Sequence, residues 1–190
     1  MMKPRLAETL RRRRFDVDEV TRMAEAGVFT DEERLELVAG ELVVMPTPGA
    51  RHAGNVDRLT ALFHRRLGQA AIVRTQNPLR LDQFNLFLPD VTLLRPDQDY
   101  YRTRHPGPED TLLVVEVADS TMARDRGIKL PKYARAGVPR VWILDLQHAK
   151  VLVFAEPGRS GYASERVCAG NERLGIPEDG EITAAELLGN

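Results

Sequence analysis

The most constraining feature of the sequence is the run "TLLVVEVA" at residues 111–118. Aliphatic side chains occupy both odd and even positions, so a strand here is apolar on both faces and has to be covered on both. Glu116 interrupts the run, on the same strand face as Val114 and Ala118. An ionised carboxylate among apolar groups is strongly disfavoured unless it is paired, protonated or bound to a metal. The run therefore predicts an interior strand whose glutamate needs a partner, either a metal ion or a basic side chain.

Helical and strand-like patterns alternate on both sides of this run. Apolar positions at helical spacing predict helices within residues 15–27 and 52–68. Alternation around Ala39-Gly40 predicts a hairpin of residues 35–38 and 41–45. Strand patterns recur at "AIVRTQ", "LRL", "FLPDVTLL", "RVWILDL" and "KVLVFAE". This order predicts an α/β (α+β) fold, a central mixed β-sheet flanked by helices, with an N-terminal helix and a β-hairpin.

Bulk composition sets limits on the class of protein. The 190 residues, 43% of them hydrophobic, suit one domain spanning residues 1–190. Cys168 is the only cysteine, which excludes an intrachain disulfide and a multi-cysteine metal site. The sequence has neither the ~20-residue apolar run of a membrane helix nor an apolar stretch near its start that would resemble a signal peptide. We therefore expect a cytoplasmic protein with no membrane partner.

Charge is nearly balanced overall but unevenly distributed. The formal net charge of −1 gives no general indication of nucleic-acid binding. Residues 1–14, however, form a basic N-terminal arm, with Lys3, Arg5 and the arginines at 11–14 against Glu8 alone. Such an arm could contact phosphates, or it could be a solvated first helix or a frayed terminus.

Two carboxylates stand out because their neighbours are apolar: Asp90, at the head of a strand in "FLPDVTLLR", and Glu116. If the two strands are neighbours, the carboxylates converge and repel each other, and a divalent cation bound to both offsets the repulsion. Carboxylate oxygens favour Mg²⁺ or Mn²⁺. The alternatives are a turn-capping role for Asp90 and an ion pair with an arginine for Glu116.

A basic residue follows these carboxylates in the next predicted helix. Proline is tolerated in the first helical turn but not in the interior, so Pro131 places the start of the helix near residues 126–128, with Asp125 as its N-cap. Lys129, 13 residues after Glu116, then lies in the first turn. There it could assist chemistry at a metal-bound water or a phosphate, or simply pair with Asp125 on the helix surface.

Several segments, in order, resemble one known family. "ERLELVAGELVVMPTPGARH", "LPDVTLLRP" and "LLVVEVADSTMARDRGIKLPKYARAGVPRVWILD" are similar to the Uma family of bacterial restriction-endonuclease-like proteins, in the PD-(D/E)XK nuclease superfamily. The resemblance covers roughly residues 17–188. It implies a restriction-endonuclease-like core and a site for Mg²⁺-dependent cleavage of phosphodiesters.

The resemblance also implies roles for particular residues. Asp90, after Pro89, matches the "PD" element, and Glu116 matches the "(D/E)" position, which makes these two the expected metal ligands. Ala118 stands where the standard motif has its lysine, and Lys129 matches the lysine that the family carries in the downstream helix. The hairpin supplies an acidic residue, for which we favour Glu41 over Glu36.

The expected function is that of an endonuclease-like phosphodiesterase acting on DNA with Mg²⁺ or Mn²⁺. Asp90 and Glu116 would bind the metal, and Lys129 and Glu41 would complete the catalytic set. A homodimer is expected by analogy with restriction-type nucleases. Two alternatives stay open: a non-catalytic nuclease fold that binds DNA or protein, and a small-molecule phosphohydrolase.

Overall fold

A computed structural model of the chain describes residues 12–30, 33–119, 121–177 and 180–189. Most of the predicted basic arm at residues 1–14 lies outside the described residues. Within them, none of the helices combines the length and apolar character needed to cross a membrane.

Five helices and twelve strands follow one another along the chain in the described ranges. The helices are α1 (Val17–Glu25), α2 (Ala50–Leu67), α3 (Met122–Arg124), α4 (Leu130–Ala136) and α5 (Ala184–Leu188). The first six strands are β1 (Leu35–Val38), β2 (Glu41–Val44), β3 (Ile72–Thr75), β4 (Leu79–Asp82), β5 (Asn85–Phe87) and β6 (Val91–Leu94). The other six are β7 (Thr111–Ala118), β8 (Arg140–Asp145), β9 (Lys150–Gly158), β10 (Gly161–Cys168), β11 (Arg173–Gly175) and β12 (Glu181–Thr183).

The strands form a six-stranded sheet in the order β10-β9-β8-β7-β6-β3, a four-stranded sheet in the order β2-β1-β5-β4, and the pair β11-β12. In the six-stranded sheet β7 and β8 are parallel, whereas the other neighbours are antiparallel. The predicted fold class, a mixed sheet with flanking helices, an N-terminal helix and a hairpin, is therefore confirmed.

Strand β7 is interior in both senses, since it has a neighbour on each side and a hydrophobic core on each face. Val115 and Val117 pack in a core with α2, whereas Val114 and Ala118 pack in a second core that contains Tyr133 of α4 and residues of β4 and β5. This alternation puts the Glu116 side chain on the face of the second core.

The helix after β7 begins earlier than the sequence predicted. It starts with α3 at Met122, passes through a π-helical turn, Asp125–Lys129, and continues into α4. Asp125 is not its N-cap, because Thr121 occupies the N-cap position of α3; the Thr121 hydroxyl donates a hydrogen bond to the Asp125 carboxylate at 2.5 Å. The π turn, in which Leu130 N–H donates to the Asp125 carbonyl, leaves Pro131 near the start of α4, where no intrahelical donor is required.

The β1–β2 hairpin has its predicted turn at Ala39-Gly40, where both residues have positive φ (52° and 83°). A two-residue turn of this kind matches the twist of the paired strands, and glycine adopts it without strain. Strand β1 also pairs with β5 through Leu37 and Leu86, so β1 is interior and β2 is the edge strand. The two strands of one hairpin therefore have very different surroundings.

Candidate functional site

Asp90 and Glu116 face each other across neighbouring antiparallel strands. Val91 of β6 is in register with Val115 of β7, so the preceding residue, Asp90, lies opposite Glu116. The backbone N–H of Val117 donates to Asp90 Oδ2 at 2.8 Å, which fixes the aspartate against β7. The two carboxylates thus converge on one face of the sheet.

Glu116 is 2% exposed, and cationic and neutral donors surround it. Lys129 Nζ lies 3.0 Å from Glu116 Oε1, and the Tyr133 hydroxyl donates to the same oxygen at 2.6 Å. Burial raises the pKa of Glu116 to about 8; Lys129 opposes that rise, and repulsion from Asp90 and Asp125 adds to it. Glu116 is therefore largely protonated near neutral pH, and a further nearby cation would favour its ionised form.

Asp90 has the opposite electrostatic balance. Burial by itself would raise the Asp90 pKa, but hydrogen bonding to His52 and to the Val117 N–H outweighs burial and lowers it. His52 Nε2 lies 3.0 Å from Asp90 Oδ1, and the Gln76 side-chain amide donates to the same oxygen at 3.3 Å. Asp90 is thereby held as a carboxylate in a fixed orientation.

Lys129 bridges two glutamates from different sheets. Its ammonium lies 3.0 Å from Glu116 Oε1 and 3.0 Å from Glu36 Oε1, and the residue is only 4% exposed. Burial opposes the charge on Lys129, but the carboxylates of Glu116 and Glu36 outweigh burial and raise the pKa of the lysine. Lys129 therefore remains a cation.

Glu36 is the second anchor of this network. The Arg124 guanidinium donates to Glu36 Oε2 at 2.6 Å, and the backbone N–H of Leu88 donates to Oε1 at 2.9 Å. Together with Lys129, these contacts join β1, the segment after β5, and the helical segment after β7. The network thus consists of two glutamates, Glu36 and Glu116, and two basic residues, Lys129 and Arg124.

A third carboxyl group, Asp125, lies in the π-helical turn. It is 4% exposed, and burial raises its pKa although Lys129 and the Thr121 hydroxyl oppose that rise. Repulsion among Asp90, Glu116 and Asp125 adds to the effect of burial in raising the pKa values of Glu116 and Asp125.

The network opens into a cleft of about 200 Å³. The lining includes the segment 45–49 between β2 and α2, Thr121, and the charged residues Asp90, Glu116, Arg124, Asp125 and Lys129, but not Glu36. Asp90, Glu116 and Lys129 all reach this cleft, so a ligand there would contact the two carboxylates and the ammonium group together.

The structure brings together three of the four predicted site residues, Asp90, Glu116 and Lys129, but not Glu41. The Glu41 side chain is 55% exposed and its carboxylate lies 3.6 Å from Arg12, whereas the Glu36 side chain is 1% exposed. Both glutamates are on one face of the hairpin, but Glu41 is on the edge strand β2 and Glu36 on the interior strand β1. The structure therefore places Glu36, and not Glu41, beside Lys129.

Sequence reasoning assigned no role to three further residues of the network, His52, Arg124 and Tyr133. Tyr133 follows Lys129 by four residues, so helical spacing alone places both side chains on one face. His52 belongs to the first turn of α2, and only the packing of that turn beside β6 shows that it contacts Asp90. For Arg124, one of many arginines in the chain, no sequence signal indicated a partner.

Comparison with known proteins adds an independent finding. Residues 17–184 match the family described as "Uma2: Putative restriction endonuclease". The chain belongs to the Uma2 family. This match confirms the resemblance identified from the sequence, and membership in Uma2 supports a nuclease-like function. No curated protein matches the sequence.

The fold of this Uma2 chain is similar to a solved structure, the "crystal structure of a putative nuclease belonging to DUF820 from Anabaena variabilis ATCC 29413". The TM-score is 0.69 at 12% sequence identity, and the similarity covers 92% of this chain and 98% of that chain. At this identity the comparison establishes the shared fold.

Restriction-endonuclease-like families such as Uma2 generally use divalent metal ions. Such an ion would need carboxylate ligands at the cleft. Within the described ranges, no three His, Cys, Asp or Glu side chains are grouped so as to hold a metal ion. Mg²⁺ nevertheless needs only one or two carboxylates, because waters and substrate phosphates complete its shell. The opposed pair Asp90 and Glu116 fits that requirement, and a cation would counteract both the burial and the carboxylate repulsion that raise the pKa of Glu116.

Proposed function

We propose that the protein is a metal-dependent nuclease that hydrolyses phosphodiester bonds of DNA, with Mg²⁺ or Mn²⁺ held by Asp90 and Glu116. The observation that carries the proposal is the convergence of Asp90, Glu116 and Lys129 at one cleft. The Uma2 match supports the nuclease class. The DNA substrate and the metal are the parts that the experiments below test.

Each residue has a distinct part in the proposed reaction. When bound, the metal would activate a water and neutralise negative charge on the phosphate. Asp90, held by His52 and the Val117 N–H, presents a preoriented carboxylate. Glu116 supplies the second carboxylate, and the Tyr133 hydroxyl and Lys129 fix its Oε1 in place.

Lys129 stabilises charge and does not accept a proton. Because its pKa is raised by Glu116 and Glu36 against the effect of burial, it remains an ammonium group at neutral pH. A fixed positive charge in a partly dry site stabilises the negative charge that develops on a phosphate in the transition state. This placement also explains why β7 can have Ala118 where the standard motif has its lysine. Lys129 reaches Glu116 from the downstream helical segment, so β7 does not have to supply a lysine.

The decisive experiment measures metal binding and DNA cleavage with the same protein preparation. Isothermal titration with Mn²⁺ should show binding to the wild type and loss of binding in Asp90→Asn and Glu116→Gln. Supercoiled and linear DNA should be cleaved with Mg²⁺ or Mn²⁺ and not with EDTA, and cleavage should be lost in both variants and in Lys129→Met. If the folded wild type binds no metal, the proposal fails.

Asp145→Asn is the matched control. Asp145 is also a buried carboxylate, on the neighbouring strand β8, but its Oδ1 accepts hydrogen bonds from the backbone N–H groups of Gln147 and His148 in the following turn. This variant should bind metal and cleave DNA as the wild type does. Binding of DNA without cleavage would instead indicate a non-catalytic module, and hydrolysis of nucleotides without cleavage of DNA would indicate a small-molecule phosphohydrolase.

A further inference from the structure

A second, larger groove lies on the same side of the six-stranded sheet as the cleft. Its volume is about 890 Å³, and it lies between α1, strand β4 with its following turn, and the segment 100–109. Four arginines line it, at positions 74, 80, 102 and 104, together with His105. Neither the family match nor the proposed metal site assigns a role to this groove.

Three of the four arginines already have carboxylate partners. Arg80 pairs with Asp18 at 2.7 Å, Arg102 with Asp99 at 2.6 Å, and Arg104 holds Asp110 through two hydrogen bonds of 2.6 and 2.8 Å. Arg74 differs: among the described residues, no carboxylate lies within ion-pair distance of it. Its Nη1 is buried and has no hydrogen-bond partner in the part of the chain that the structure describes.

An unpartnered buried guanidinium nitrogen is costly, and in native proteins such a donor usually has an unseen partner. Arg74 and Arg80 also lie close to His105, because the pKa of this imidazole is lowered first by burial and then by the charges of the two arginines. Arg74, Arg80 and His105 therefore lie close together, and of the two arginines only Arg80 has a carboxylate partner among the described residues. An anion in the groove would pair with the Arg74 guanidinium and favour the protonated form of His105.

An aromatic ring at the rim of the groove narrows the class of anion. Tyr100 is 68% exposed, and both Tyr100 and Tyr101 adopt left-handed backbone conformations, with φ of 53° and 55°. The Asp97 carboxylate holds this turn by accepting hydrogen bonds from the N–H groups of Asp99 and Tyr101. Strain of this kind persists where the surroundings enforce it, often at ligand contacts.

The groove and the cleft are close enough for one ligand to reach both. Arg74 of β3 pairs with Thr92 of β6, which pairs with Val114 of β7. Arg74, Thr92 and Val114 therefore form one row across the sheet. Along the strands, this row is two residues from the row of Asp90 and Glu116, so both rows present their side chains on the same face. The separation along the strands is therefore about 7 Å.

From these observations we propose that the groove binds a single-stranded segment of nucleic acid, with Arg74 contacting a backbone phosphate and Tyr100 stacking on a base. A recessed cation beside an exposed aromatic ring suits a flexible single strand, which can insert its phosphate and expose a base for stacking. A rigid duplex presents its phosphates on a convex surface and its bases already stacked. The assignment of this ligand as part of a nuclease substrate rests on the proposed function.

Fluorescence anisotropy with labelled oligonucleotides in EDTA tests the groove without cleavage. Arg74→Gln should weaken single-strand binding by about tenfold and reduce the slope of log K against log salt by about 0.7, the loss of one phosphate contact. Arg159→Gln removes the same charge from the β9–β10 turn at the opposite edge of the sheet and should change neither quantity. Equal binding by the two variants would overturn the proposal.

Stacking is tested in the same assay. Tyr100→Ala should weaken single-strand binding by about tenfold and leave duplex binding nearly unchanged, whereas Val167→Ala, at an exposed apolar residue of the edge strand β10, should alter neither. A duplex of the same sequence should bind less tightly than the single strand. Tighter duplex binding together with a neutral Tyr100→Ala would overturn the single-strand assignment.

Nuclear magnetic resonance of the wild type gives a readout that does not depend on folding of Arg74→Gln. The His105 imidazole resonance should move toward its protonated position when single-stranded DNA is added at pH 6.5, because a nearby phosphate favours the charged ring. No movement at saturating DNA overturns the proposal. If Arg74→Gln weakens binding but the wild type cleaves no DNA, the groove proposal stands and the nuclease proposal fails. If the wild type cleaves DNA and neither Arg74→Gln nor Tyr100→Ala changes that cleavage, the nuclease proposal stands and the groove proposal fails.

Discussion

Lys129 lies 3.0 Å from Glu116 and 3.0 Å from Glu36, and all three side chains are at most 5% exposed. One ammonium therefore balances carboxylates from two different sheets, with Arg124 as the second cation. A buried network of this kind contributes little net stability when complete, but removing one member leaves an uncompensated charge in a medium of low polarity. The site chemistry and the stability of this region are consequently coupled.

The first prediction concerns this coupling. Lys129→Met should lower the free energy of unfolding by about 3 kcal/mol at neutral pH, because Glu36 and Glu116 lose their shared cation. Lys150→Met is the control, since Lys150 is 38% exposed and only 3.9 Å from Asp145, so its loss should cost less than about 0.5 kcal/mol. Urea unfolding of the two variants measures the difference. Equal losses would show that the buried ion pairs are not what stabilises this region.

A second prediction distinguishes the two glutamates of the hairpin. Glu36→Gln should cost about 2–3 kcal/mol, because it removes the charge that faces Lys129 and Arg124, and it should reduce DNA cleavage. Glu41→Gln, on the exposed edge strand, should stay within about 0.5 kcal/mol of the wild type and leave cleavage unchanged. Thermal unfolding and the cleavage assay report the two effects. A functional loss in Glu41→Gln alone would restore the residue that the sequence favoured.

The hairpin also shows how far the sequence could predict this site. The apolar pattern of residues 111–118 was sufficient to place Glu116 on an interior strand, because only two covered faces accommodate such a run. The alternation of apolar and polar residues could not show which of Glu36 and Glu41 is buried, because the strand register places both side chains on one face of the hairpin. What separates them is the pairing of β1 with β5, a contact between Leu37 and Leu86 that no local pattern indicates.

The helical segment after β7 is a second element that the sequence predicted only in part. Pro131 led to a predicted helix start near residues 126–128, which is too late, because the helical segment begins at Met122. The π turn that joins α3 to α4 is a rare conformation, which the helical spacing of apolar residues does not distinguish from an ordinary α-helical turn. This turn contains Asp125 and Lys129. The position of the Lys129 ammonium relative to Glu116 and Glu36 could therefore not be predicted from the sequence.

A third prediction addresses His52, which contacts Asp90 at 3.0 Å and belongs to no motif. His52→Ala should reduce cleavage by about 10–100-fold and raise the metal concentration required for half-maximal activity, because a partner that orients a ligand is lost. His64→Ala, an exposed histidine further along α2, is the control and should change neither value. Mn²⁺ titration of the same variants separates weaker metal binding from slower chemistry. Wild-type metal affinity in His52→Ala would contradict the orienting role.

The last prediction concerns His105 and the pH dependence of stability. Burial, followed by the charges of Arg74 and Arg80, lowers the pKa of His105 below its ordinary value of 6.5. Below pH 6.5 the unfolded chain therefore binds a proton at His105 more readily than the folded protein does. The contribution of His105 to the free energy of unfolding is complete above pH 6.5 and is lost as the pH falls through the folded pKa. Between pH 7 and pH 5, His105→Gln should lose less stability than the wild type does, measured by urea unfolding at each pH. His64→Gln, which removes an exposed imidazole, should retain the wild-type profile, and an equal flattening of the profile in both variants would refute the assignment to His105.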